Sequence, residues 1–475
     1  MVRLDEAALE QKLEALERVR SWGPRVVSKL EGLLRVEDDV RLFRANALAF
    51  AAERGIDEAE TVDLFLYATK LGIFTMEWQL ICPQCTDAVE TVHSLGSVGN
   101  TYHCSLCRKD LETSLDDLIQ VTFTVSPALR RLRFHDPDTL DIEEFCFGYH
   151  FSAGTHGVDG SKWIEQMRPF LVMLGYVAPG EVRRFVTELH PGVLRGADRV
   201  HRAELSLPIR SGAPERSQFR LRLEAGQFLT DVQELSPGPT IIEIENAMAK
   251  RAAVMAINAG GERGFPRSAL PRFLSGKQLF VTQTFSELFR SETVGRRGGL
   301  ALKDLTFLFT DLKGSTELYD RIGDLKAFHL VDQHFEHLAA VIRRRRGAVV
   351  KTIGDAVMAT FAAPQEAVSA AADMLHTIEG FNRERGARDV ILKIGVHSGP
   401  SIAVTQNERL DYFGQTVNIA ARVQALAEGD EICLTDPVMT APGVGELFAG
   451  LEVSSRETQL RGVRRPLRVY RVRTP

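Results

Sequence analysis

Four of the six cysteines fall in two pairs, Cys82-x2-Cys85 and Cys104-x2-Cys107, with 18 residues between the pairs. Such a quartet obliges two distant turns to meet, because the spacing matches a four-thiolate structural metal site. It predicts a zinc ribbon over 81–120, two knuckles each ending a short hairpin, with one structural Zn²⁺ on Cys82, Cys85, Cys104 and Cys107. His93 and His103 lie close by, but beside four thiolates they read as ordinary loop residues. Cys146 and Cys433 stand alone, and Cys433 in the strand-like run 431–434 reads as a core thiol. Metal-held thiols belong to a reducing compartment. The N-terminus is charged and lacks an apolar secretory core, and no apolar run nears the ~18 residues of a membrane span. A soluble, cytoplasmic protein with no membrane partner is expected.

Around the ribbon the hydrophobic period changes. Residues 1–80 read as helical, with Leu9, Leu13, Leu16 and Val19 on one face. A second helix opens at Asp57-Glu58-Ala59-Glu60, an N-cap with Glu three residues on, and carries Val62, Phe65 and Leu71. From 121 to 288 the runs are short and alternating, as in Val121–Val125, Phe219–Leu223 and Ile241–Ile244. Turns such as Ser236-Pro237-Gly238-Pro239 separate them, and a β-rich domain is expected. Residues 289–303, with Gly295, Arg296, Arg297, Gly298 and Gly299, read as an exposed linker. In the last stretch, 304–475, strands and long helices alternate, which implies a sheet with helices packed on one face. Its first helix, from Leu318 to Ile342, is expected to bury one stripe of Leu318, Ile322, Leu325, Phe328, Phe335, Leu338 and Ile342. The fold class expected is multidomain α+β.

Three motifs in that last stretch carry chemistry. Phe309-Thr310-Asp311-Leu312-Lys313-Gly314-Ser315-Thr316 ends a strand and opens a helix. Exposed N–H groups at such a junction suit a polyphosphate, and Asp311 could hold a divalent cation beside it; an ordinary turn explains the same residues equally well. Lys351 to Phe361 reads as a strand pair hinged on Gly354-Asp355. Asp355 alone would be a turn former, yet two aspartates at strand edges can converge on a pair of cations. The third motif runs from Asp411 to Arg422 and includes Asn418.

With Gly395-Val396-His397-Ser398-Gly399, these motifs occur in the order of the class III adenylate/guanylate cyclases, and the chain from about Asp304 to Thr474 resembles that family. The resemblance implies a ferredoxin-like α/β sandwich and conversion of ATP to cyclic AMP. It implies two Mg²⁺ or Mn²⁺ ions on Asp311 and Asp355, helped by the Leu312 carbonyl. It also implies a catalytic pair, Asn418 orienting the ribose and Arg422 neutralising the phosphoryl group. Lys351 and Asp411 fall at the base-selecting positions: Lys can donate to adenine N1 and Asp can accept from the N6 amine, a polarity that guanine reverses. Triphosphate binding falls to Gly314, Ser315 and Thr316, with Lys393 and Arg461. Lys393 stands where the family often has Arg, and Arg461 where it has Lys. In the family the site is shared across a homodimer, so ATP and a second copy of the chain are the implied partners. The alternatives are a guanylate or dual-specificity cyclase and a silent cyclase-like module; the full set of motif residues disfavours the second.

The order of helical segment, zinc ribbon and β-rich domain resembles an uncharacterised regulatory region found before some bacterial cyclases. Thr69 to Phe74, Trp78, Cys82 and Phe145 to Gly148 carry that likeness. It implies an unidentified small-molecule or protein regulator, while a purely structural dimerisation module remains open. A net charge of -5 and the absence of a basic or aromatic cluster at the ribbon disfavour nucleic acid. Arg343 to Arg346 reads as a helix C-terminus complementing the dipole.

Overall fold

A computed structural model describes residues 4–35, 38–99, 101–113, 119–289, 299–406 and 409–473. The chain divides into two compact units, and the main boundary falls between Leu274 and Ser275. Residues 290–298 of the expected linker lie outside the described residues.

The first unit opens with five helices: α1 (Glu6–Val19), α2 (Val26–Leu34), α3 (Asp39–Leu42), α4 (Ala47–Arg54) and α5 (Glu58–Lys70). Asp5 caps α1 by accepting from the Ala8 N–H at 3.0 Å, and Asp57 caps α5 through the Glu60 N–H at 3.0 Å. Leu9, Leu13 and Leu16 are buried as the period demands, but Val19 is 38 % exposed because α1 ends there. Strands β1 (Phe74–Ile81), β2 (Ala88–Val92), β3 (Thr101–Cys104), β4 (Lys109–Glu112) and β5 (Ile119–Val125) follow. Strand β1 pairs antiparallel with both β2 and β5, setting Trp78 opposite Val121 and Met76 opposite Phe123. The ribbon is therefore an insertion between two strands of one sheet. The helices join the same sheet, since Ala45 and Phe123 exchange backbone hydrogen bonds. The first unit takes in the described residues up to 93, 99–113 and 119–274, and residues 94–98 group with the second.

The rest of this unit is a sandwich. After a two-residue strand β6 (His156–Gly157) and a short helix α6 (Trp163–Met167), eight strands run in succession. They are β7 (Leu171–Val177), β8 (Val182–Leu189), β9 (Gly192–Asp198), β10 (Glu204–Ile209), β11 (Gln218–Glu224), β12 (Gln227–Leu229), β13 (Gly238–Asn246) and β14 (Ala252–Ala259). One sheet has the order β10-β9-β14-β7 and the other β12-β11-β13-β8. Leu194, Leu205 and Val254 from the first meet Leu221, Ile242 and Ile244 from the second in one core. Strand β15 (Ser268–Ala269) closes the unit by pairing with β6.

The second unit begins with helices α7 (Gly276–Phe280) and α8 (Gln283–Leu288), residues expected at the end of the β-rich domain. The Gln283 side chain accepts from the Val349 N–H at 2.8 Å and the Phe280 carbonyl from the Tyr412 hydroxyl at 3.4 Å, which ties both helices to this unit. Its strands are β16 (Leu300–Leu312), β17 (Ala348–Ile353), β18 (Ala356–Phe361), β19 (Leu392–Gln406), β20 (Arg409–Phe413), β21 (Glu431–Thr435), β22 (Glu452–Thr458) and β23 (Leu467–Arg473). They form one sheet in the order β17-β18-β16-β19-β21-β23-β22, with β20 on β19. Helices α9 (Ser315–Ile322), α10 (Asp324–Arg344), α11 (Pro364–Arg385) and α12 (Gln415–Gln424) complete it. Leu330, Leu338, Met374 and Ile378 pack from α10 and α11 onto Leu308, Val396 and Ile432. Helix α12 lies on the opposite face, with Ile419 and Val423 against Cys433 and Val469, so the helices are not confined to one side.

The expected first helix is two. Gly323, at φ +83°, stops α9 and restarts the chain as α10 with a changed phase. Leu325 and Phe328 are consequently 71 % and 58 % exposed, while Ala327, Leu330, Val331 and His334 turn inward. The basic run ends α10 as expected for a dipole cap, and Arg344 and Arg345 also pair with Asp373 of α11. Among the described residues no helix is long and apolar enough to cross a membrane.

Candidate active site

The two aspartates reach one edge of the second unit's sheet through strand register. Strand β18 runs antiparallel to β16 with Phe309 opposite Met358, and the Thr310 hydroxyl accepts from the Val357 N–H at 3.2 Å. Continued toward the end of β16, this pairing brings Asp311 level with the Gly354-Asp355 turn that joins β17 to β18. Asp355 Oδ2 is buried with no hydrogen-bond partner. Asp311 meets one cation, Lys393 Nζ at 3.7 Å, directly across on β19. Leu312 ends the strand and is buried. An unpaired carboxylate oxygen beside a second carboxylate is a donor set that suits Mg²⁺ or Mn²⁺.

His334, absent from the sequence reading, adds to this edge. Its Nδ1–H donates to the Val331 carbonyl at 2.5 Å, its Nε2 is buried without a partner, and the charge of Asp355 acts on it. Burial pushes its pKa down to about 4 despite that neighbouring charge. The signal was hidden by helix phase: after the break at Gly323, His334 turns inward beside Phe335, which packs partly buried on the same core.

Gly314 is the N-cap of α9, and no side chain caps the first turn formed by Ser315 and Thr316. Its leading N–H groups are thus without the usual side-chain acceptor.

Lys351 on β17 and Asp411 on β20, 60 residues apart, are brought into contact: Lys351 Nζ lies 2.6 Å from Asp411 Oδ2. Asp411 Oδ1 accepts from the Tyr412 N–H at 2.9 Å, which orients the carboxylate.

Asn418 and Arg422 stand one turn apart on α12, Asn418 exposed and Arg422 half-buried. The helix can lie this close to the sheet because residue 395 is glycine; a Cβ there would fall 2.2 Å from the Gln424 backbone nitrogen. Arg422 rests beside Gly462, with Nη1 3.4 Å from where a Cβ would sit, so the exposed Arg461 is a neighbour of the same guanidinium. Asp311 and Lys393 form one cluster, with Asp355 set near it by strand register; Lys351 and Asp411 form a second, and Arg422 with 461–462 a third. Among the described residues no hydrogen bond or ion pair joins one cluster to another.

In the first unit the four predicted cysteines converge. Their sulfur atoms all lie within 4.8 Å of one another, with Cys85 Sγ 3.7 Å from Cys104 Sγ. Thr86 and Arg108, the residues after each second cysteine, share a left-handed conformation at φ +59° and +54°. The two knuckles therefore have matching backbone turns. Four sulfurs at about 2.3 Å from a central tetrahedral Zn²⁺ would stand roughly 3.8 Å apart, so the quartet fits that ion. His103 is on strand β3, not in a loop, where Nδ1 meets Asp110 at 2.7 Å and Nε2 meets Glu204 of β10. That places it outside the thiolate set.

Residues 7–287 match a family of unknown function (DUF5939), and residues 301–472 match the adenylate and guanylate cyclase catalytic domain. The chain belongs to the DUF5939 family and carries a class III adenylate/guanylate cyclase catalytic domain behind that region. It is 26 % identical over 221 residues to an adenylate cyclase of Anabaena cylindrica, covering 43 % of this chain and 44 % of that one. It is 30 % identical over 168 residues to adenylate cyclase 2 of Rhizobium meliloti (strain 1021), covering 32 % and 46 %. The matched stretches span less than half the length of these two relatives. Among solved structures, adenylate cyclases from Trypanosoma brucei in their monomeric state give 25 % identity, a TM-score of 0.31 and coverage of 36 % of this chain and 89 % of that one.

Proposed function

We propose that the second unit converts ATP to 3′,5′-cyclic AMP and pyrophosphate. The observation that carries this reading is Asp355 Oδ2, buried and unpaired in the turn that strand register sets level with the end of β16, where Asp311 lies. Divalent cations bound there would lower the pKa of the attacking hydroxyl and offset charge on the phosphoryl group. The 3′-hydroxyl of the substrate attacks the α-phosphorus, the bond to the β-phosphate oxygen breaks, and the 3′ proton passes to solvent. Asn418 orients the ribose, and Arg422 neutralises the α-phosphoryl oxygens as charge develops. The first turn of α9 at Gly314, Ser315 and Thr316, with Lys393 and Arg461, holds the triphosphate.

Lys351 and Asp411 support ATP over GTP. They present one donor and one acceptor side by side, which pairs with the acceptor N1 and the donor N6 of adenine. The separation of the motif residues into three clusters supports a shared site: Asp311 and Asp355 from one copy, and Lys351, Asp411, Asn418 and Arg422 from the other. A twofold homodimer then holds two equivalent sites. The first unit, with a structural Zn²⁺ on its four thiolates, regulates the second, and the protein works in the cytoplasm.

The test incubates purified protein with Mn-ATP or Mn-GTP and identifies the cyclic product by chromatography. Cyclic AMP from ATP, in clear excess over cyclic GTP from GTP, is expected. Equal or greater turnover of GTP overturns the base assignment, and no product from either, in a confirmed dimer, overturns the enzyme reading. Mixing the inactive Asp311→Ala and Asn418→Ala chains should restore activity through one intact composite site. Heterodimers without activity would exclude site sharing.

A further inference from the structure

The first unit holds a half-open cavity of about 670 Å³, within the usual size of small-molecule sites. Its floor is the outer face of the sandwich, where Arg195 on β9 stands opposite Ile257 on β14. A strand with one face on the core should alternate, and β11 does so strictly. Strand β14 instead is buried on nearly every residue, because its outer face is covered as well. Trp163 and Met167 of α6 form one wall, and Cys85, Leu106 and Cys107 of the two knuckles form another.

The polar atoms in this lining are anomalous. Trp163 Nε1, Arg195 Nε and Ser268 Oγ are each buried with no hydrogen-bond partner. A buried donor left unmade costs on the order of 1–3 kcal/mol, so three around one cavity are not what packing alone would leave. Arg195 has no ion pair or hydrogen bond recorded among the described residues; its guanidinium lies 5.4 Å from the centre of the Phe265 ring, which is itself 50 % exposed. Lys109 and Arg267 also line the cavity, and among the described residues no carboxylate does. The site is therefore an apolar chamber with unpaired donors, in which three cations exceed the two negative charges that four thiolates leave around a Zn²⁺.

We propose that this cavity binds a small organic acid with an apolar body, its carboxylate accepting from Arg195 and the Trp163 indole N–H. Ser268 supplies a further hydroxyl, and the apolar body lies along Met167, Met255 and Ile257. The ligand would also rest against the knuckles, which makes the zinc ribbon a wall of a binding site. This inference is independent of the nucleotide reading.

Isothermal titration of the full-length, zinc-loaded chain tests it, with decanoate and indole-3-acetate as aliphatic and aromatic probes and decan-1-ol as the uncharged control. Saturable one-to-one binding of at least one acid is expected, with the alcohol weaker by about tenfold or more. Arg195→Met should weaken the acid by about tenfold and Trp163→Phe by several-fold, with circular dichroism unchanged. If Arg195→Met fails to fold, Ser268→Ala is read in its place, with the same direction expected. No saturable binding of either acid, equal affinity for the alcohol, or undiminished binding in the folded variants each overturns the proposal.

Discussion

The two units treat their key carboxylates in opposite ways. In the first, Asp87 and Asp198 are buried and satisfied. Asp87 makes a bidentate pair with Arg199, both side chains almost fully enclosed, and Asp198 accepts from the N–H groups of Val200, His201 and Ala253. In the second, among the described residues, Asp355 has a buried oxygen with no partner and Asp311 reaches only Lys393 at 3.7 Å. A satisfied buried charge holds elements together, since removing either partner strands the other. An unsatisfied one costs stability in the isolated chain and is repaid when a cation or substrate arrives. The contrast separates carboxylates that build the fold from those that the proposed function gives to a ligand.

The contrast can be broken by substituting one member of each kind. Asp87→Ala leaves Arg199 buried and uncompensated, and should cost the first unit about 3–5 kcal/mol in urea unfolding. A loss below about 1 kcal/mol would show that Asp87 is not structural. Asp355→Ala should do the reverse, lowering cyclase turnover by about a hundredfold to a thousandfold while leaving the unfolding midpoint unchanged or raised. A variant that unfolds more easily and still turns over would assign Asp355 to the fold.

A smaller effect sharpens the comparison through pH. His397, buried on β19 with Nδ1 2.6 Å from the Thr435 hydroxyl, has its pKa pushed by burial to about 4. The native state thus favours the neutral ring, so its stability contribution is complete above pH 6.5 and is lost as pH falls from 6.5 toward 4. Unfolding free energies at pH 7.5 and 5 should differ by roughly 1–3 kcal/mol in the second unit, and His397→Gln should reduce the difference. His334, with the same depressed pKa, contributes in the same direction. A flat profile would mean that neither ring is held neutral by the fold.

Much of the local architecture was legible from residues. The helix start at Asp57 follows from capping chemistry, and the Cys-x2-Cys pairs do converge to within 4.8 Å. The motif order from Asp311 to Arg422 placed the second unit in its cyclase class. What misled was periodicity across a break: Gly323 sits within a heptad-like apolar pattern, and reading through it placed the exposed Leu325 and Phe328 in the core and hid His334. Long-range pairing was illegible for a related reason. Local patterning shows that a stretch is helical or β-rich, but not that β1 pairs with β5 across the ribbon or that α7 and α8 dock on the second unit.

The sequence by itself determined the chemistry available: four thiols at metal-binding spacing, carboxylates at strand ends, and a Lys and an Asp able to read a base. These depend on residue type and short-range spacing, which tertiary contacts do not alter. Only the tertiary structure decided which groups are paired and which are left open. Lys351 meets Asp411 across 60 residues, Arg199 closes on Asp87 across 112, while Asp355, Trp163 and Arg195 keep buried atoms without partners. Satisfaction of a polar atom depends on which distant segments the folded core brings beside it, and no local pattern encodes that.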